Sequence, residues 1–125
     1  MRCEERRRLV SFGVVGVCVT LVYAGLAGLF ASAGLEPVSA SALAYACSAV
    51  LSYTAHKRAT FQSKGPHAVE APRFLLTFAV GSALAVALPA ALTRVLELPA
   101  AYATATVCVA VPVANYVALR WFVFR

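Results

Sequence analysis

The stretch LVSFGVVGVCVTLVYAGLAGLF, from Leu9 to Phe30, contains no charged side chain and is the strongest indication of the fold class. A transmembrane helix needs about 20 apolar residues in a row to cross the hydrocarbon core. This stretch is also longer than the apolar region of about 7–15 residues found in a secretory signal peptide. Although Ala31-Ser32-Ala33 resembles a signal-peptide cleavage site, further apolar segments follow it. We therefore interpret the stretch as a first transmembrane helix.

Three more apolar segments follow, and the four together fill the chain. The spans are predicted at about residues 9–30, 38–54, 74–92 and 101–122. Their central stretches contain no Asp, Glu, Lys, Arg or His. We predict an all-α membrane protein with four transmembrane helices, and we treat residues 1–125 as a single membrane domain.

The composition argues against a soluble domain. Hydrophobic residues make up 62% of the 125 residues and charged residues 13%, whereas soluble proteins have about 45–50% and about 25%. A soluble fold of this size would expose large apolar patches. The cysteines show no paired or metal-ligand spacing, so we expect no disulfide framework. Three of them lie inside apolar segments and are interpreted as small packing residues; the four are Cys3, Cys18, Cys47 and Cys108.

The basic residues predict the orientation in the membrane. All Lys and Arg residues except Arg94 lie at the N-terminus, between the second and third spans, or at the C-terminal end. Cytoplasmic loops carry an excess of Lys and Arg, so we predict that both termini are cytoplasmic. The same rule accounts for the net charge of +6 without a nucleic-acid partner.

The ends of the second and fourth spans are similar, which indicates an internal repeat. Residues 52–61, SYTAHKRATF, align with residues 115–124, NYVALRWFVF. The starts of the first and third spans match more weakly, through Arg8 with Arg73 and Gly16 with Gly81. Each half would be a helical hairpin that enters and leaves on the cytoplasmic side, so the halves would form a parallel repeat.

Small residues at four-residue spacing allow membrane helices to approach closely. The first two spans each have such a stripe, and we expect the two stripes to face each other, although Ala-rich spans also produce stripes by default. The residues are Gly16, Thr20, Ala24 and Gly28 in the first span and Ala40, Ala44, Ser48 and Ser52 in the second.

The sequence shows no recognisable catalytic motif. The two histidines, His56 and His67, lie between the second and third spans without a motif-paired carboxylate, and no Gly-rich phosphate loop is present. We therefore expect a protein that is not an enzyme, with no catalytic residue, no metal and no cofactor. A small multidrug exporter also has four spans, but it is not supported because no ionisable residue lies at membrane depth.

A candidate binding site lies where basic residues meet polar span ends on the predicted cytoplasmic side. Arg and Lys bind phosphates through charge-assisted hydrogen bonds. The alternative stays open that these residues set topology and contact anionic lipid headgroups. The repeat favours Lys57 and Arg120, which are equivalent and lie near Ser52 and Asn115. The candidate residues are Arg8, Ser52, Lys57, Arg58, Arg73, Asn115 and Arg120.

At these residues the sequence resembles the GtrA family of small four-span membrane proteins. The resemblance rests on residues 8–16, RLVSFGVVG, and on the two repeat segments, which are similar to the family pattern Asn-Phe-x-x-x-Arg-x-x-Val-Phe. The first copy departs from the pattern, with Ser52 and Lys57 in place of Asn and Arg. The second copy retains both, as Asn115 and Arg120.

The resemblance implies a role in cell-envelope glycosylation at the cytoplasmic membrane. Family members are thought to translocate polyprenyl-phosphate-linked sugars, or alternatively to recruit or anchor a glycosyltransferase as a scaffold. The first role is the expected one, with the phosphate at Arg120, Lys57 or Arg73 and the prenyl tail in an apolar groove. The implied partners are the lipid-linked sugar, membrane lipid and, for a scaffold, a glycosyltransferase. Because four helices make a thin wall around a sugar, we also expect a homo-oligomer, a dimer or larger.

Overall fold

Residues 2–125, which the computed structural model describes, form four long helices and contain no strand. The helices are long and apolar enough to cross a membrane, which confirms the predicted all-α, four-span class. A five-residue π-helical turn extends α2 and another extends α4. The helices are α1 (Cys3–Ser32), α2 (Pro37–Ala55), α3 (His67–Arg94) and α4 (Ala100–Ala118), and the π-turns are His56–Thr60 and Leu119–Val123.

The chain divides after Ser63 into two compact units. The first hairpin contains α1, α2 and the first π-turn, and the second hairpin contains α3, α4 and the second π-turn. In each hairpin the two long helices pack against each other.

The end of each hairpin has the same backbone plan. Helices α2 and α4 are both 19 residues long. In each π-turn a backbone N–H donates to the carbonyl five residues earlier, from Phe61 to His56 and from Phe124 to Leu119, both at 2.9 Å. These elements coincide with the segments that the sequence aligns as a repeat. The parallel arrangement of the two halves and the cytoplasmic position of the termini stay predictions.

The helices are longer than the spans predicted from apolar content. Residues 56–60 continue the second span as a π-turn and α3 begins at His67, so helical structure extends beyond the predicted spans 38–54 and 74–92 into both ends of the polar segment between them. Arg73 therefore lies on α3. The reason is that hydrophobicity reports the length of a helix in lipid, whereas backbone hydrogen bonding can continue the helix beyond the hydrocarbon core.

Of the two small-residue stripes, the one on α2 is buried. Its members Ala40, Ala44, Ser48 and Ser52 are 1%, 0%, 4% and 9% exposed.

The stripe on α1 lies on an exposed face of the helix, so the prediction that the two stripes face each other is wrong. Its four residues are exposed, and a Cβ added at Gly16 or Gly28 would meet no atom within 4 Å. The inner face of α1 instead contains the larger Val15, which is 9% exposed, and Tyr23, whose hydroxyl hydrogen bonds the Ser41 hydroxyl at 2.7 Å. Large side chains on one helix fill the space that small ones leave on the other, as close packing requires.

The cysteines are free thiols at exposed positions. The interpretation of Cys18, Cys47 and Cys108 as packing residues is therefore wrong. They lie on the outer faces of their helices, where a thiol behaves as a small apolar group.

Glu36 fixes the start of α2. Its carboxylate accepts hydrogen bonds from the backbone N–H groups of Val38 and Ser39, both at 3.2 Å, and Pro37 occupies the first helical position. These N–H donors hold the pKa of the Glu36 carboxyl below its ordinary value. Such a cap satisfies donors that have no partner within the helix.

Candidate functional site

An open groove runs between α3 and α4 in the second hairpin. Its volume of about 210 Å³ is below the roughly 300–1,000 Å³ of a site that encloses a whole small molecule. The groove therefore suits one part of a larger ligand. Thr77 and Asn115 are the polar members of an otherwise apolar lining, which consists of Leu76, Thr77, Val80, Gly81, Leu84, Ala114, Asn115, Ala118 and Phe122.

Asn115 lies in this groove against Gly81. A Cβ added at Gly81 would lie 2.7 Å from Asn115 Oδ1 and 3.2 Å from Nδ2, so the absence of a side chain at Gly81 gives the carboxamide its room. The side chain of Asn115 is half-buried and makes no hydrogen bond with any other of residues 2–125. A polar group in a membrane span is costly without a partner. Because this amide has no partner within residues 2–125, a ligand that hydrogen bonds it would remove that cost.

Arg73 lies at the end of the groove that Phe122 forms. Its Nη1 donates to the backbone carbonyl of Phe122 at 3.2 Å, and its Cζ lies 5.5 Å from the centroid of the Phe122 ring. The Thr77 hydroxyl donates to the Arg73 carbonyl at 3.0 Å, one turn along α3. At a rise of 1.5 Å per residue, Gly81 lies about 12 Å further along the axis of α3 than Arg73.

Arg120 lies in the second π-turn, where its Cζ is 5.2 Å from the centroid of the Trp121 ring. The guanidinium is half-buried, and Trp121 is 65% exposed. Stacking of this kind orients a guanidinium. The second hairpin thus contains three of the candidate residues: Arg73, Asn115 and Arg120.

The other four candidate residues lie in the first hairpin and differ in accessibility. Arg58 is exposed and Ser52 is buried. Arg8 donates from Nη2 to Glu4 at 2.7 Å, while its Nε is buried without a hydrogen bond to residues 2–125. Lys57, which the repeat favours as a candidate, is only 6% exposed and already makes an interaction within the structure. The binding roles of all seven residues stay predictions.

The sequence reasoning missed a buried polar cluster in the first hairpin. Thr60, which is 0% exposed, has its Oγ1 3.2 Å from Ser11 Oγ and 3.2 Å from His56 Nδ1. The His56 ring also stacks on Phe12, with centroids 5.0 Å apart. The four-residue spacing of His56 and Thr60 on a helical segment was a usable signal, because such residues are neighbours on a helix surface. The approach of Ser11 had no signal in the sequence.

Comparison with known proteins identifies the family to which the chain belongs. The family model described as "GtrA/DPMS, transmembrane domain" matches residues 11–124. No curated protein and no solved structure matches the chain. Since the match runs through all four membrane-spanning helices, the chain belongs to the GtrA/DPMS transmembrane domain family, which is associated with the handling of lipid-linked sugars.

Proposed function

We propose that this protein translocates a polyprenyl-phosphate-linked sugar across the cytoplasmic membrane for cell-envelope polysaccharide or glycan synthesis. The observation that carries the proposal is the apolar groove of the second hairpin with Arg73 at one end. A lipid-linked sugar combines an apolar tail with a phosphate, and the groove and the guanidinium suit these two parts.

The apolar lining suits a prenyl chain. Leu76, Val80 and Leu84 follow one face of α3, and Ala114 and Ala118 line the groove from α4. Branched hydrocarbon gains dispersion contacts with such side chains. The groove opens towards the outside of the hairpin, since Leu76 and Val80 are 56% and 51% exposed, so a chain could enter it sideways from lipid.

In this proposal Arg73 binds the phosphate. A guanidinium has five N–H donors, and the hydrogen bond to the Phe122 carbonyl uses one of them. The remaining donors can bind phosphate oxygens in a bidentate manner. Arg120, oriented by Trp121, supplies a second cation in the same hairpin. In this proposal the exposed Arg58 is the first-hairpin residue with an equivalent, weaker role.

We propose that the chain carries out transport and not catalysis. The central parts of the spans contain no ionisable side chain, so transport would follow the gradient set by synthesis and consumption of the lipid. We propose that a homodimer or larger assembly completes the path. Native mass measurement in detergent would test this assembly.

Exchange between the two leaflets of a liposome tests the proposal. Purified protein is reconstituted with a labelled polyprenyl-phosphate hexose, and wild type is compared with Arg73→Gln and Arg120→Ala. Hydrogen bonds to charged groups contribute about 1.5–3 kcal/mol, so we expect Arg73→Gln to slow exchange by roughly 10- to 100-fold. Arg94→Gln is the matched control, because Arg94 lies in the last turn of the same helix α3.

Two results would contradict this proposal. Wild-type exchange that Arg120→Ala abolishes and Arg73→Gln leaves intact would move phosphate binding from the groove to the second π-turn. No exchange by folded wild-type protein, across several sugar donors, would instead favour the non-transporting scaffold. A scaffold would bind a glycosyltransferase equally well in wild type and in Arg73→Gln, which co-purification can measure.

A further inference from the structure

We infer that the groove of the second hairpin selects lipid-linked headgroups that are neutral apart from the linking phosphate. During passage the sugar would take the place of the prenyl chain in the groove, where Asn115 would hydrogen bond its hydroxyls. Gly81 would be the positioning residue that gives the Asn115 carboxamide its place. This inference rests on the proposed function and names its substrate class.

The carboxamide of Asn115 matches a hydroxyl better than it matches a charged group. An amide offers two N–H donors and a carbonyl acceptor, and a hydroxyl both donates and accepts. A phosphate or carboxylate can only accept, which leaves the amide carbonyl without a partner. Among the described residues Asn115 makes no side-chain hydrogen bond, so both halves of the amide are available to the hydroxyls of one sugar ring.

The surroundings of Asn115 disfavour additional charge. None of the nine residues that line the groove has an ionisable side chain. On α3 the sequence has no Asp, Glu, Lys, Arg or His between Arg73 and Arg94, and α4 has none. A carboxylate on the sugar would therefore lose its hydration about 12 Å along the helix from Arg73 with no counter-charge, and an unpaired charge is costly there.

Gly81 determines where the amide sits. A methyl group at this position would lie 2.7 Å from Asn115 Oδ1 and 3.3 Å from Cγ. The contact is with the end of a flexible side chain, so the amide would rotate away and the helix packing would be retained. Gly81→Ala should thus move the hydrogen-bonding group with little effect on stability. Gly16→Ala is the matched control, because a Cβ there meets no atom within 4 Å.

The experiment compares leaflet exchange of a polyprenyl-phosphate hexose with that of the matched polyprenyl-phosphate hexuronate. For wild type we expect the hexose to exchange about tenfold faster or more, as the loss of one buried hydrogen bond would predict. Asn115→Leu and Gly81→Ala should each slow the hexose about tenfold, and Gly16→Ala should not. Because Gly81 acts through Asn115, the double variant Gly81→Ala/Asn115→Leu should be no slower than Asn115→Leu alone.

The outcomes separate this inference from the proposed function. Equal exchange of hexose and hexuronate by wild type would overturn the selectivity while leaving transport in place. Additive losses in the double variant, or an equal loss in Gly16→Ala, would overturn the role of Gly81.

A binding measurement covers the case in which wild type exchanges neither lipid and the proposed function fails. Thermal stabilisation of the detergent-purified chain by the same two lipids then tests the inference. A larger shift with the hexose that disappears in Asn115→Leu would support it, and equal shifts would overturn it.

Discussion

The two hairpins end in the same way, with a 19-residue helix and a five-residue π-turn, yet the chemistry at that turn differs. In the first hairpin the turn contains buried His56 and Thr60, which join Ser11 in a polar cluster. The equivalent residues of the second hairpin, Leu119 and Val123, are apolar and 4% and 1% exposed. The difference shows that the π-turn does not need the polar cluster, since the backbone hydrogen bond of 2.9 Å forms in both.

The hairpins differ again one turn earlier, at Ser52 and Asn115. Ser52 belongs to the buried stripe of α2, whereas Asn115 lines an open groove beside Gly81. The glycine that the sequence aligns with Gly81 is Gly16, which lies on an exposed face of α1. Residues that are equivalent in sequence are therefore not equivalent in packing, and we infer that the second hairpin has the specialised groove.

The largest expected effect concerns a buried alanine that both hairpins have at the same position. Ala40 on α2 and Ala103 on α4 occupy equivalent positions and are both 1% exposed. Replacing either with Leu would overpack a position without free space, and we expect the free energy of unfolding to fall by about 2–3 kcal/mol in each case. Denaturant titration in mild detergent measures this value.

The matched controls are Ala42→Leu and Ala105→Leu, which are two positions further along the same helices and exposed. These variants should change the free energy of unfolding by less than about 0.5 kcal/mol. A large effect of Ala40→Leu with no effect of Ala103→Leu would contradict the equivalence of the two positions, because it would show that α4 does not pack as α2 does.

A smaller effect tests what distinguishes the hairpins. Thr60→Val gives the first π-turn the residue that the second has at Val123, but it leaves Ser11 and His56 without their shared partner. We expect the free energy of unfolding to fall by about 1–2 kcal/mol, as for a buried polar group left unsatisfied. The same titration measures it.

The double variant His56→Leu/Thr60→Val sharpens this test, because it installs both residues of the second π-turn. Removing both hydrogen-bonding partners is often nearly neutral, so the double variant should be more stable than Thr60→Val alone. If the free energy of unfolding instead falls by the sum of the effects of His56→Leu and Thr60→Val, the loss of hydrogen bonds in the polar cluster is not the cause of the destabilisation.

The smallest effect concerns the helix starts, where Glu36 caps α2 and Pro99 precedes α4 without a side-chain cap. The folded-state pKa of Glu36 lies below its ordinary value of 4.5, so its contribution to stability is present above pH 4.5 and is lost as the pH falls through the lowered pKa. We expect Glu36→Gln to lower the melting temperature slightly at pH 7 and to flatten its decline below pH 4.5. Glu97→Gln, in the turn between α3 and α4, is the control, and identical pH profiles for wild type and Glu36→Gln would contradict the capping role.

The number of spans, the class of fold and the family were all predictable from the sequence. The uncharged run from Leu9 to Phe30 identifies a span without any tertiary information, because crossing a bilayer depends on the length and apolarity of one contiguous segment. The repeat of residues 52–61 in residues 115–124 was visible in the sequence, and the structure shows that each copy contains a π-turn. Asn115 and Arg73 were named as candidates from sequence, although their roles remain to be measured.

Which faces of the helices are buried could be read only from the three-dimensional packing. In lipid the outer face of a helix is as apolar as its inner face, so hydrophobic periodicity does not report the packing direction. The stripe containing Gly16 was therefore assigned to the wrong face, whereas that containing Ala44 was assigned correctly. The contact of Gly81 with Asn115 likewise depends on how α3 and α4 meet, which no local pattern in either segment specifies.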